Sequence, residues 1–242
     1  MADSSARGDA PAGPVPSLFW PKSSLLGGLP EPTRRRMLEL GAGRRFERGR
    51  RILAEGERST FVVLIRAGFV KVSARRDDGR QTLLAIRTRG DLIGELAAID
   101  ENPRSGTVVA SSPVEAAIIP QGEFLGFLSR HPQANLQFNR MLAYRLRQAN
   151  RRRLDFTGCS APVRVSRVLT ELIETYGRRT PKGWVCDVPF TQHELADLSG
   201  TSVETAQITL RRLRQAGVIS TGYRKLTVLD SRTLHGAAHL TS

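Results

Sequence analysis

The period of the apolar positions changes along this chain. Between Arg44 and Pro120 they fall into short runs cut by turn residues: RRILAEGE, TFVVLIRAGFVKVSA, QTLLAIRT, GDLIGEL, SGTVVAS and VEAAIIP. Many short β-type runs at near-regular spacing predict an all-β barrel or jelly roll. Asp78-Gly79 within residues 75–81 predicts a hairpin tip, and Gly56 and Gly68 mark further turns. Ahead of this region Met37, Leu38 and Leu40 form a short helical pattern stopped by Gly41-Ala42-Gly43.

After Gln121 the period becomes helical, first in EFLGFLSRHP and then from about Pro132 to Phe156. Phe138, Leu142, Leu146 and Ala149 recur at spacings of four, four and three, while Arg140, Arg145, Arg147 and Arg151 to Arg153 lie largely off that line. One long amphipathic helix is predicted. Its narrow seam fits either the chain's own barrel or the same helix of a second copy.

Ser160-Ala161-Pro162 reads as a helix start with Ser160 as cap. Val165, Val168, Leu169, Leu172 and Ile173 share one face before Gly177, and residues 180–190 read as a short strand pair. Residues 190–229 then carry two helices around a tight break. Thr191 opens a capping box with Glu194, Leu195 and Leu198 face inward, and Gly200 permits a left-handed turn. Ser202 caps the next helix, whose buried stripe is Ala206, Leu210 and Leu213 and whose end is Gly217. Val218-Ile219-Ser220, a Gly-Tyr turn and KLTVL add a wing. The whole reads as a winged helix-turn-helix.

Such a motif puts its second helix in the major groove of double-stranded DNA. Val203, Glu204, Gln207, Ile208 and Arg211 are the outward candidates. Glu204 can accept from cytosine, Gln207 can pair with adenine, and Val203 or Ile208 can meet a thymine methyl. Thr201, Thr205, Arg211, Arg224 and Lys225 are phosphate candidates, with Ser202 at the helix start beside them. The plainer alternative makes Glu204 a helix N-terminal charge and Gln207 a solvated surface residue.

The fold class expected is therefore α+β in four parts. Residues 1–24, rich in Pro, Gly, Ala and Ser, read as a disordered tail. Residues 25–131 form the β-roll, 132–159 the long connecting helix, and 160–242 the winged helix-turn-helix.

Charge agrees with an anionic partner: 37 Lys and Arg stand against 23 Asp and Glu, a net charge of +14. A composition biased towards Arg could arise from the genome alone, so charge adds weight only beside the motif. Cys159 and Cys186 show no CxxC spacing, and His131, His193, His235 and His239 show no HExxH, so no metal is expected. The first residues lack the basic start and apolar core of a signal peptide, and no run approaches the roughly 18 apolar residues of a membrane span. A cytoplasmic protein without a membrane partner is expected. Residues 161–242 show no nucleophile–base pair, GxSxG or Walker pattern, so an enzyme is not.

One stretch remains. GELA, which is Gly94, Glu95, Leu96 and Ala97, is followed by PRSGT at 103–107. It is similar to the phosphate-binding cassette of the cyclic-nucleotide-binding fold. From about Leu25 onward, the order of β-roll, long helix and winged helix-turn-helix resembles the Crp/Fnr regulators. The resemblance implies a homodimer joined through the long helix, a cyclic nucleotide in each β-roll, and RNA polymerase as a further partner. Cyclic AMP is the first expectation, with cyclic GMP or no nucleotide as alternatives.

In that reading the Arg104 fork meets the phosphate beside Ser105, Glu95 accepts from the ribose 2′-hydroxyl, and Gly94 and Gly106 let backbone amides approach the ligand. The resemblance also puts Arg145 against the ribose-binding Glu95, and Ala149 and Asn150 at purine-facing positions, one residue being donated across the dimer. Ala149 stands where a hydroxyl residue is usual, Gly106 where Ala is usual, and Val203 and Ile208 where the best-known member has Arg. Three rivals remain: an exposed Glu95–Arg104 salt bridge with no ligand, a regulator that binds DNA without cyclic nucleotide, its pocket empty or taking another anionic effector, and a nucleotide-sensing signalling module.

Overall fold

The structure, a computed structural model, describes residues 20–21, 23–222 and 225–239. The β-roll pairs two antiparallel sheets, in strand orders β1-β8-β3-β6 and β2-β7-β4-β5. The strands are β1 (Ala42–Phe46), β2 (Arg51–Leu53), β3 (Val62–Ala67), β4 (Phe69–Arg75), β5 (Gln81–Thr88), β6 (Leu92–Ile93), β7 (Thr107–Ala110) and β8 (Val114–Ile119). The unbroken apolar run of β3 follows from burial on both faces. Val63 and Ile65 enter the core between the sheets with Val70, Ile93 and Val108. Val62 and Leu64 face the helices with Phe124, Phe127, Phe138 and Met141.

Those helices are α1 (Glu31–Leu38), α3 (Gln121–Arg130) and the first half of α4 (Pro132–Gly158). Phe124 and Phe138 meet edge to face, their centroids 5.5 Å apart. Truncating a ring buried in this way costs about 3–5 kcal/mol. The seam of α4 divides: Phe138 is buried and Leu142 half-buried on the roll, whereas Leu146 and Ala149 are exposed, as are Leu154 and Phe156 further along the helix.

A second unit follows from α5 (Ala161–Tyr176), β9 (Arg178–Thr180), β10 (Gly183–Cys186), α6 (Gln192–Ser199), α7 (Val203–Gln215), β11 (Ile219–Gly222), β12 (Lys225–Val228) and α8 (Ser231–His239). Its sheet order is β11-β12-β10-β9. All five apolar residues read on one face of α5 are buried, and Cys186 beneath them has its thiol pushed up to about 11 by burial.

Several elements differ from the sequence reading. GDLIGEL is a strand only at Leu92–Ile93, because Gly94 turns the backbone left-handed and α2 (Glu95–Asp100) begins. The strand β1 starts inside the glycine stretch read as a helix stop; its first four residues are exposed, so no alternation announces it. The strand pair expected at 180–190 lies at 178–186. Ser160 has extended backbone but makes no side-chain cap bond. Of the tail, residues 1–19 and 22 lie outside the described residues, whereas Trp20 and Ser24 are buried against the roll.

Candidate functional site

Gly94 has φ 76°, a conformation that favours glycine, and a Cβ there would stand 2.4 Å from Nη1 of Arg104. Its bareness lets the guanidinium lie against the backbone at the start of α2. Arg104 is 3% exposed. Its Nη1 donates to the Gly94 carbonyl at 2.6 Å, Nη2 to the Phe61 carbonyl at 2.6 Å, and Nε to Ser59 Oγ at 3.0 Å. The group also lies over the Phe61 ring, 4.8 Å from its centroid. Burial pushes its pKa down, opposed by Glu57 and Glu95; a guanidinium so placed still carries its charge near neutrality. Each terminal nitrogen keeps a second hydrogen for an anion.

Glu95, 7% exposed, is the residue after the Gly94 carbonyl that Arg104 holds. Its partner is Arg145 of α4, whose Nη1 donates to Glu95 Oε1 at 2.6 Å and whose Nη2 donates to the Leu92 carbonyl at 2.9 Å. The same guanidinium lies 3.5 Å from Asp91 Oδ1. Burial pushes the Asp91 carboxyl up, while Arg145, Arg87 and the Thr88 amide pull it back. Burial alone would lower Arg145, but Glu95 and Asp91 outweigh it and leave the guanidinium raised. Arg87 is lowered, first by burial and then by Arg145. Two acids and two bases thus balance beside the cassette.

The exposed Glu95–Arg104 salt bridge is therefore not what the chain forms: both groups are buried, and the carboxylate pairs with Arg145. Gly106 also has a packing role. A Cβ there would lie 2.9 Å from the Ser73 carbonyl, so its bareness admits the backbone of β4. Ser105 and Leu96 are exposed, and Ala149 and Asn150 face outward on α4 beyond Arg145. Asn150 lines a cleft of about 1170 Å³ between the second half of α4 and the helices α5 and α8. Ser59, Phe61 and Arg87 were not singled out in sequence. Asp91, directly after Gly90 and just before the cassette, carries a local signal; Ser59 and Phe61 come from the segment leading into β3, and Arg87 from β5.

The DNA-reading candidates sit on a well-capped pair of helices. Thr191 Oγ1 accepts from the Glu194 amide at 3.2 Å and Glu194 Oε2 accepts from the Thr191 amide at 2.7 Å, closing the capping box. Gly200 takes the left-handed turn at φ 56°. Ser202 Oγ accepts from the Thr205 amide at 3.1 Å and lies 2.9 Å from the Thr205 hydroxyl, so both are engaged at the start of α7. Ala206, Leu210 and Leu213 are buried, together with Thr209.

Glu204, Gln207, Ile208 and Arg211 are exposed along one side of α7, and Thr201 is half-buried. Val203, read as outward, is half-buried and packs in part against the core of this unit. Lys225 is exposed on the wing, and Arg224 lies outside the described residues. Arg214 ties the last turn of α7 to the wing through Thr221 Oγ1 at 3.1 Å. An aliphatic side chain such as Ile208, 47% exposed on an otherwise polar face, suits contact with a base methyl.

Residues 43–131 match the family model of the cyclic nucleotide-binding domain, and residues 163–236 that of the Crp-like helix-turn-helix domain. The chain is 31% identical over 189 residues to a CRP-like cAMP-activated global transcriptional regulator of Mycobacterium tuberculosis, covering 78% of this chain and 84% of that protein. It is 29% identical over 196 residues to a cyclic AMP receptor protein of Thermus thermophilus, covering 81% and 87%. In fold it is similar to FixK2 from Bradyrhizobium japonicum, with a TM-score of 0.73 at 19% identity over 84% of this chain and 100% of that one. With the buried Arg104–Gly94–Glu95 turn in one matched domain and the exposed polar face of α7 in the other, this protein is a DNA-binding transcription regulator with a cyclic nucleotide-binding domain, a member of the Crp/Fnr family.

Proposed function

We propose that the protein is a homodimeric, sequence-specific transcription regulator that takes cyclic AMP into each β-roll and thereby sets its affinity for DNA. The observation that carries this reading is the convergence of Arg104 and Glu95 on the Gly94 turn, both buried, one a cation with hydrogens to spare and the other an acceptor. A cyclic nucleotide supplies the complement, one phosphodiester anion and one free ribose hydroxyl. The cAMP named for the relatives in M. tuberculosis and T. thermophilus makes cyclic AMP the first ligand to try and cyclic GMP the second. Ser105, Leu96, Ala149 and Asn150 would complete the pocket, the last two from α4 or its copy.

The exposed Leu146 and Leu154 supply apolar surface for a second copy. Two recognition helices would then read half-sites about 34 Å apart. Thr201, Ser202, Glu204, Thr205, Gln207, Ile208, Arg211, Arg224 and Lys225 make the DNA contacts in this reading, in the cytoplasm and with RNA polymerase as a partner of the bound dimer.

Calorimetric titration with cyclic AMP and cyclic GMP, then DNA binding with and without the tighter one, tests it. Binding is expected to be lost in Arg104→Gln and Glu95→Gln. DNA affinity unchanged at nucleotide saturation would refute the coupling. A second reading, DNA binding without nucleotide, is favoured by one feature: Ser59, Gly94 and Phe61 hold the Arg104 guanidinium in place with three hydrogen bonds from the chain itself. The same titration separates the two.

A further inference from the structure

The strand β5 is the outer member of its sheet, so one side of its backbone has no strand partner. Side chains of α4 and of the DNA-binding unit meet those orphan groups. The Leu83 amide donates to Asp197 Oδ2 of α6 at 3.2 Å. The Leu84 carbonyl accepts from Arg152 Nη1 at 2.7 Å, and the Ile86 carbonyl from the Tyr176 hydroxyl at 2.7 Å. Leu83 and Ile86 join the apolar core of the DNA-binding unit, and Lys71 of β4 pairs with Glu194 of α6 at 2.6 Å. The first helix of the helix-turn-helix is thus docked on its own β-roll.

Tyr176 holds a particular place in this contact. It is the last residue of α5, its ring meets Phe69 of β4 edge-on at 6.2 Å, and the Ile86 carbonyl it binds also accepts from Arg87 Nη1 at 3.0 Å. Asp91, which shares the Arg145 guanidinium with Glu95, accepts through Oδ2 from the Thr88 amide of β5 at 3.1 Å. A set of contacts therefore runs from Glu95 through Arg145 and Asp91 to the Thr88 amide, next to Arg87, whose guanidinium shares the Ile86 carbonyl with the helix leading to the helix-turn-helix.

We propose that Tyr176 is a positioning residue that transmits occupancy of the nucleotide pocket to the helix-turn-helix through the Ile86 carbonyl. This rests on the nucleotide reading above. A ribose hydroxyl that donates to Glu95 competes with Arg145 for the carboxylate. Arg145 then shifts its weight towards Asp91, whose hold on the Thr88 amide changes, and the adjoining Arg87 alters its hold on the carbonyl. Tyr176 feels the change in one hydrogen bond, and α5 carries it to α6 and α7.

The test is Tyr176→Phe, which keeps the ring against Phe69 and removes only the hydroxyl. Cyclic AMP affinity of the free variant, measured by calorimetry, is expected to stay within about twofold of the parent. The ratio of DNA affinities with and without cyclic AMP, about 5–150-fold for coupling of ordinary size, is expected to fall at least about threefold. Phe69→Leu disturbs the same packing but leaves the hydroxyl bond, and should keep the parent ratio. A parent ratio in Tyr176→Phe overturns the inference while leaving nucleotide sensing intact. A parent that binds neither nucleotide in calorimetry overturns the sensing itself, and this coupling with it. Without any variant, cyclic AMP should change hydrogen exchange at the Leu83 amide; protection there unmoved at saturation also overturns it.

Discussion

Arg145 and Glu95 stand 50 positions apart in sequence and meet at 2.6 Å, joining the long helix to the cassette of the β-roll. Asp91 shares the guanidinium at 3.5 Å. Arg145→Met would leave both carboxylates buried without their cation, an arrangement that costs about 3–5 kcal/mol. Urea unfolding should register that loss. Arg145→Lys should recover only part of it, since an ammonium cannot reach Glu95, Leu92 and Asp91 with one planar fork. A loss below about 1 kcal/mol in the Met variant would mean that the pair is solvated as surface pairs are.

Gly200 and Phe156 make a second joint, between the end of α4 and the turn of the helix-turn-helix. A Cβ at Gly200 would lie 1.6 Å from the Phe156 ring, and φ there is 56°. Gly200→Ala should therefore cost the left-handed penalty of about 1–2 kcal/mol plus the displacement of the ring. In a Phe156→Ala background only the backbone part should remain. A double-mutant cycle by chemical denaturation measures the difference, and strictly additive effects would contradict the contact.

The exposed face of α7 gives a prediction about DNA. Glu204→Ala and Gln207→Ala should each weaken binding to the preferred site by about 1–3 kcal/mol and relax selection at one base pair. Lys225→Ala should weaken all sequences alike and lower the slope of log affinity against log salt by about one. Selection from a random DNA pool, followed by salt titration, separates the two kinds of residue.

His235 makes the second unit mildly sensitive to pH. Its Nδ1 lies 2.7 Å from the Ser231 carbonyl and its Nε2 3.0 Å from Glu174 Oε1, and only an imidazolium can donate to both. The Ser231 carbonyl first, and Glu174 second, raise its pKa above the ordinary 6.5. The stabilisation is full below that ordinary value and is lost as pH rises through the higher folded one. Because the side chain is 44% exposed, the effect should stay below about 1 kcal/mol. Melting of the parent and His235→Asn should differ near about pH 5.5 and converge above about pH 8.

Much of the architecture can be read along the chain because it depends on neighbours. The Thr191–Glu194 box, the Ser202 cap and the left-handed Gly200 and Gly217 involve residues within a turn or two, and all are present as read. The buried stripes of α5 and α7 follow from helical period alone. Where local signals competed, the reading failed: Gly94 ended a run that looked like a strand, and Val203, read as outward, lies half-buried against the core.

The residues of the β-roll site were legible as types, an acid and a base around two glycines, but their partners were not. Sequence determined that Glu95 and Arg104 would lie close together, since only a short helix and a loop separate them. Tertiary structure alone decided that Glu95 would pair with Arg145, that Ser59, Gly94 and Phe61 would hold the Arg104 fork in place, and that Tyr176 would reach the Ile86 carbonyl. A buried charge or an orphaned edge group takes whichever partner the sheet register and the packing of distant helices bring within hydrogen-bond reach, and no local pattern encodes that distance.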